Sequence, residues 1–132
     1  MDSRTNQIAY EGHPCRVPKK VLIVDDHPSF RSAARLLLEH DGFEVIGEAE
    51  DGASGLAAAS ALAPDVILLD VNLPDLDGFD VCSRICLNAS APKVVLTSSR
   101  DSREFGPLVS RSGADGFIPK SELTGEALYA FL

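Results

Sequence analysis

Long apolar runs are missing from this 132-residue chain. No segment approaches the roughly 18 residues needed to cross a bilayer, and none stands at the N-terminus as a secretory signal would. Cysteine is sparse: Cys15, Cys82 and Cys86 are an odd set without framework spacing, which excludes a disulfide-stapled secreted fold. Positive charge is short as well. Twelve basic residues stand against 20 acidic ones, a net charge of −8, which excludes nonspecific attraction to nucleic-acid phosphates or an anionic membrane surface. Internal repeats are absent, and the alanine-rich stretch Ala57 to Ala63 is simply a good helix former. These absences predict a reduced, cytoplasmic protein that binds neither nucleic acid nor membrane through this chain.

What remains is one domain of ordinary size, able to bury a core without staples. Residues 1–18 are polar and irregular, with Pro14 and Pro18, and read as a disordered leader; residues 19–132 form the domain. From Lys20 onward strand and helix signals alternate. Strands are predicted over 20–25, 43–48, 65–70, 93–97 and 115–119, and helices over 28–40, 53–62, 78–88, 102–112 and 124–131. Five βα units imply a parallel sheet with helices on both faces. The first helix is the clearest, with Phe30, Ala33, Ala34 and Leu37 at helical steps, Pro28 in its first turn and Asp41-Gly42 stopping it. Asp101 with Glu104 resembles a capping box for the fourth helix, but Gly106-Pro107 falls inside it and predicts a late start, a kink or a frayed first turn.

Two apolar runs end abruptly in acid. Val66-Ile67-Leu68-Leu69 runs into Asp70, and Val21-Leu22-Ile23-Val24 runs into Asp25-Asp26. Such runs read as strands covered on both faces, and open α/β sheets bind ligands at the carboxyl ends of their strands. Three carboxylates gathered there repel by roughly 1 kcal/mol per pair at about 4 Å in water, and by about 4 at an effective dielectric near 20. They require a cation, and a donor set of oxygens completed by water suits magnesium or manganese. Thr97 closes the fourth strand and Lys120 follows the fifth. Acid, hydroxyl and amine together suit an anionic phosphoryl group, with lysine and hydroxyl orienting its oxygens and the central aspartate as nucleophile forming an acyl phosphate.

Over residues 20–131 the chain resembles the receiver domain of two-component response regulators. The resemblance rests on a constellation: the acidic pair after the first strand, Asp70 after the third, then Pro74 and Gly78, a hydroxyl after the fourth and lysine after the fifth. Val45-Ile46-Gly47-Glu48-Ala49 and Gly113-Ala114-Asp115-Gly116 are most similar to the receivers of helix-turn-helix, NarL/LuxR-like regulators. The resemblance implies a flavodoxin-like (βα)5 doubly wound sheet in the order 2-1-3-4-5. It implies Asp70 as phosphoacceptor, Asp26 as direct and Asp25 as water-mediated magnesium ligand, and Asn72 as a ligand through its backbone carbonyl. Thr97 and Lys120 become the phosphoryl-contacting pair, and Phe117 the switch aromatic that follows the hydroxyl. Ser98 is small, as access to the phosphoryl group requires, and Asn72 and Ser99 match positions that tune acyl-phosphate lifetime. A histidine kinase or phosphotransfer protein is the implied donor, a downstream protein or output domain the implied recipient, and a phosphorylation-linked homodimer a further implied partner.

Three departures qualify the match. Ser98 directly follows Thr97, so a shift of one residue makes it the switch hydroxyl, although the strand register favours Thr97. Ser121 replaces the proline that often follows the lysine, which implies a trans bond and a looser last loop. Pro107 disturbs the fourth helix, part of the surface through which receivers signal.

Plainer readings stand beside these. Asp75, Asp77 and Asp80 read as loop or helix-start acids, His27 as a helix N-terminal or loop residue, and Phe117 equally as core packing. Cys82 and Cys86, four apart, could be half a metal site but lack completing ligands and read as small buried apolar residues. A haloacid dehalogenase-type aspartyl phosphatase would need a second acid where Asn72 stands. A phosphorylation-independent binding module would lack one of the acids or the lysine, and none is missing. With its end at Leu132 the chain reads as a stand-alone receiver, the alternative being one excised from a longer transcription regulator. Either way its chemistry is its own phosphorylation and dephosphorylation rather than that of an enzyme.

Overall fold

The structure is a computed structural model and describes residues 18–88, 90–99 and 105–132. The strands are β1 (Lys20–Val24), β2 (Glu44–Ala49), β3 (Val66–Asp70), β4 (Lys93–Ser98) and β5 (Gly116–Pro119). Between and after them run α1 (Pro28–His40), α2 (Gly52–Leu62), α3 (Gly78–Cys86), α4 (Gly106–Ser112) and α5 (Gly125–Tyr129). All the strands pair in parallel, in the order β2-β1-β3-β4-β5, as expected. The N-terminal leader, Cys15 and the Asp101/Glu104 capping box lie outside the described residues.

Alternation along each strand divides the core in two. Val21, Ile23, Val66, Leu68 and Val95 face one side, closed by Ala34 and Leu38 of α1 and Leu128 of α5. Leu22, Val24, Ile67, Leu69, Val94 and Leu96 face the other, closed by Val81, Cys82 and Ile85 of α3 with Leu56 of α2 and Val109 of α4. Because β3 sits centrally with every residue buried, its carboxyl end opens onto a rim shared with β1 and β4.

Several local predictions change in detail. On α1 the inward stripe is Phe30, Ala34, Leu37 and Leu38; Ala33 is exposed, because packing turned the predicted face slightly, toward Leu38. The α4 helix, Gly106–Ser112, has the late start that Gly106-Pro107 predicted, and Pro107 occupies its first turn, where a missing N–H leaves no bond unmade. The α3 and α5 helices each end about two residues early. After Lys120 the loop forms a 3-10 turn over Lys120–Glu122, closed by Leu123 N–H donating to Lys120 O, rather than an open strand-to-helix link.

Side chains tie loops across the fold. Asp41, the C-cap of α1, accepts from Gly125 N–H at 2.8 Å and so anchors the start of α5. Asp75, in the loop after β3, accepts from Gly52 and Ala53 N–H at 2.7 and 3.0 Å, joining Asp51 and Ser54 at the N-terminus of α2. Those two N–H bonds hold the Asp75 carboxyl below its ordinary value. Asp77 is the N-cap of α3, accepting from Phe79 N–H, and Asp80 lies in that helix's first turn. Gly78 is dictated by contact: a Cβ there would run into the backbone of Asp70 and Val71.

Candidate functional site

Register brings the polar residues together. Val24 pairs with Leu69, so Asp25 follows β1 where Asp70 ends β3; Asp70 pairs with Thr97, and Thr97 with Ile118, two residues before Lys120. Counting by twos, Asp25, Asp70, Thr97 and Ile118 project to the α1/α5 face, whereas Ser98 and Phe117 belong to the opposite one. Thr97, and not Ser98, therefore shares Asp70's side of the sheet.

Asp70 is 1% exposed. Its Oδ1 accepts from Asn72 N–H at 3.0 Å, and its Oδ2 accepts from Lys120 Nζ at 3.2 Å. Lys120 Nζ also lies 2.7 Å from Asp25 Oδ2, a charge contact outside hydrogen-bond alignment, and 4.6 Å from the centroid of the Phe30 ring. Burial pushes the Asp70 carboxyl above its ordinary value; the Asn72 N–H opposes this, the Asp25 charge adds to it, and Lys120 opposes it, leaving the net direction upward. Burial pulls the Lys120 ammonium down, but its approach to Asp25 and the charges of both aspartates outweigh that, and its net shift is upward.

One carboxylate oxygen from each of Asp25, Asp26 and Asp70 and a ring nitrogen of His27 lie within 4.8 Å of one another. His27 is the N-cap of α1, as its plainer reading held, yet its Nδ1 stands 3.1 Å from Asp25 Oδ1 and 3.0 Å from Asp26 Oδ1. Thr97 is fully buried, and its hydroxyl has no hydrogen-bond partner among the described residues. A buried hydroxyl left unpaired costs about 1–3 kcal/mol.

Phe117 is half-buried at the end of an aromatic row, 6.0 Å from Phe105, which in turn lies 5.6 Å from Phe79. Cys82 and Cys86 sit on α3 with their sulfurs 3.9 Å apart, away from the acidic cluster. The residues that sequence reading passed over are Phe30 beneath Lys120 and Arg31, which reaches the backbone of Asp25. Arg31, Arg35 and Glu39 at four-residue steps were a visible sign of a charged helix face, but their partner Glu48 lies on another element.

An open parallel sheet in this order, with an acid and lysine centre at its carboxyl rim, defines the class of doubly wound domains that place their site at the strand ends. The chain belongs to the response regulator receiver domain family, whose sequence pattern matches residues 21–130. It is 42% identical over 109 residues to the nitrate/nitrite response regulator NarP of Escherichia coli, covering 81% of this chain and 50% of that protein. The fold superposes on the receiver domain of the response regulator NarL from Mycobacterium tuberculosis with TM-score 0.78 and 32% identity, covering 86% of this chain and 96% of that one. It also superposes on the chemotaxis response regulator CheY4 of Vibrio cholerae with TM-score 0.78 and 30% identity, covering 88% and 100%. The chain spans about half the length of the curated relatives it matches. Among the described residues, no helix is long and apolar enough to cross a membrane.

Proposed function

We propose that this receiver accepts a phosphoryl group on Asp70 from the phosphohistidine of a kinase or phosphotransfer protein, with a divalent cation, and so switches a protein-interaction surface. The observation carrying this reading is the pairing of a buried carboxylate with two groups suited to phosphoryl oxygens. Lys120 is already in place beside Asp70, and the buried Thr97 hydroxyl, without a partner among the described residues, is a donor suited to such oxygens. In the transfer an Asp70 oxygen forms the new O–P bond as the donor's N–P bond breaks, and Lys120 balances the added negative charge.

The donor set fits magnesium. Asp25, Asp26 and Asp70 offer hard oxygens at close range, and the Asn72 carbonyl, by resemblance, completes the protein's share. Bound there, the ion supplies positive charge against the phosphoryl oxygens. Thr97 then moves toward the phosphoryl group and Phe117 follows, altering the surface of α4, β5 and α5. That surface engages a downstream protein, an output domain or a second copy. The chain spans about half the length of relatives named as transcriptional regulators, among them LiaR of Bacillus subtilis, which supports the output-domain form. The setting is cytoplasmic.

Treatment with acetyl phosphate and magnesium tests the acceptor. Intact mass should rise by about 80 Da in the wild type and not in Asp70→Asn, because only the carboxylate forms the acyl phosphate. Equal labelling of both proteins overturns the assignment.

A further inference from the structure

Between β1 and α1 the backbone of Asp25 is held at both of its polar groups. Its N–H donates to Ala49 O at 2.9 Å, extending the pairing with β2 one residue beyond the strand. Its carbonyl accepts from Arg31 Nη1 at 2.6 Å. The same guanidinium donates through Nε to Glu48 Oε1 at 3.1 Å. The other oxygen of Glu48 accepts from Arg35 Nε at 2.7 Å, and Arg35 reaches on to Glu39 and to the Val45 carbonyl, both at 3.3 Å. The Arg31 side chain is only 16% exposed. Its planar fork holds two separated N–H groups in fixed directions, so one guanidinium bridges a carboxylate and a carbonyl in a set geometry that a flexible lysine ammonium does not reproduce.

The clamped carbonyl matters because of what shares its plane. Asp25 C=O and Asp26 N–H belong to one rigid peptide unit, so fixing the carbonyl fixes the direction in which the Asp26 Cα leaves it. Asp26 lies in the irregular link before α1, without ladder bonds of its own to orient it. We propose that Arg31 is a positioning residue for the cation: by tying the Asp25 carbonyl to Glu48 it holds the Asp25–Asp26 peptide so that the Asp26 carboxylate faces the divalent ion. This rests on the reading of the acidic cluster as a magnesium site. Arg31 acts through the backbone and against its own charge.

That opposition makes the test a matter of sign. By charge alone, removing a cation near the cluster tightens binding of a divalent cation, and replacing arginine by lysine changes nothing. Positioning requires the reverse: both Arg31→Gln and Arg31→Lys weaken magnesium binding, by about tenfold, the scale on which groups supporting metal ligands act. Magnesium chloride is titrated into the whole chain while the amide signals of Asp26 and Asn72 are followed. Arg84→Gln, an exposed charge on α3 beside Pro92 at the far end of the sheet, should leave the affinity within about twofold. At saturating magnesium the labelling rate with acetyl phosphate should be largely retained in the Arg31 variants, since the acceptor and Lys120 are untouched. Wild-type affinity in Arg31→Lys, or equal or tighter binding in Arg31→Gln, overturns the clamp while leaving the magnesium site standing. If Arg31→Gln loses the native spectrum, Arg31→Lys decides alone. Absence of any magnesium-dependent shift in the wild type overturns the site itself, and the clamp with it.

Discussion

The two faces of the sheet are built from alternate residues of the same strands, yet they end differently at the carboxyl rim. On the α1/α5 face the rim carries Asp25, Asp70, Thr97 and, beyond β5, Lys120; on the α2/α3/α4 face it carries Ser98 and the Phe117–Phe105–Phe79 row. Below the rim the central strands β1, β3 and β4 bury apolar residues on both faces. Burial is therefore shared between the faces, while the polar strand-end groups Asp25, Asp70 and Thr97, with Lys120, lie on one of them. Parity, which is free of any cost in backbone geometry, separates a charged centre from an aromatic row a single residue away.

The largest expected effect tests the shared core. Leu68→Ala empties the α1/α5 side and Leu69→Ala the other, and each should cost about 2–5 kcal/mol in urea unfolding. A large loss on one face and almost none on the other would break the symmetry argued here. Next comes the ion: at roughly a hundredfold excess over its dissociation constant, magnesium should stabilise the fold by about 2.7 kcal/mol, and Asp26→Ala should abolish that gain in thermal melts. A melting point indifferent to millimolar magnesium counts against the site.

Without magnesium, Asp70→Asn should melt above the wild type at neutral pH. The folded-state carboxyl titrates above its ordinary value of 3.8, so between the two values the native state binds more protons than the unfolded one, and stability falls as pH rises through that window. Removing the charge removes the penalty, and the gap between the two proteins should close as pH falls toward the ordinary value. Equal melting points across the range would mean that Lys120 already offsets the repulsion.

A smaller and more diagnostic pair separates the hydroxyls. Thr97→Val removes a buried hydroxyl with no partner among the described residues and should be neutral or stabilising, by up to about 1–3 kcal/mol. With beryllofluoride as phosphoryl mimic, Thr97→Val should lose the amide shifts of α4, β5 and α5 and Ser98→Ala should keep them. The reverse result moves the switch to Ser98. The smallest effect lies on the aromatic side. Burial pushes the Cys82 thiol up to about 12, with the Ser112 hydrogen bond opposing and Cys86 adding to the shift, so an alkylating reagent at mildly basic pH should modify partly exposed Cys86 before Cys82. Simultaneous modification would show α3 opening readily from the sheet.

The sequence by itself determined the alternation of strands and helices, because an apolar run ending in acid and a helical stripe are local patterns that no neighbour needs to complete. It also determined which residues could be chemical: Asp25, Asp26, Asp70, Thr97 and Lys120 all stand at predicted strand ends. What only the tertiary structure decided is what depends on distance between elements. The turning of Leu38 rather than Ala33 toward the core and the carboxylate of Asp75 crossing to the N-terminus of α2 follow from packing, and the pairing of Asp70 with Thr97 from strand register. Arg31 belongs with these, since its meaning lies in a backbone carbonyl six residues earlier and a glutamate on the next strand. A side chain's type is written in the chain, but a hydrogen bond exists only when folding has brought both of its ends within about 3 Å.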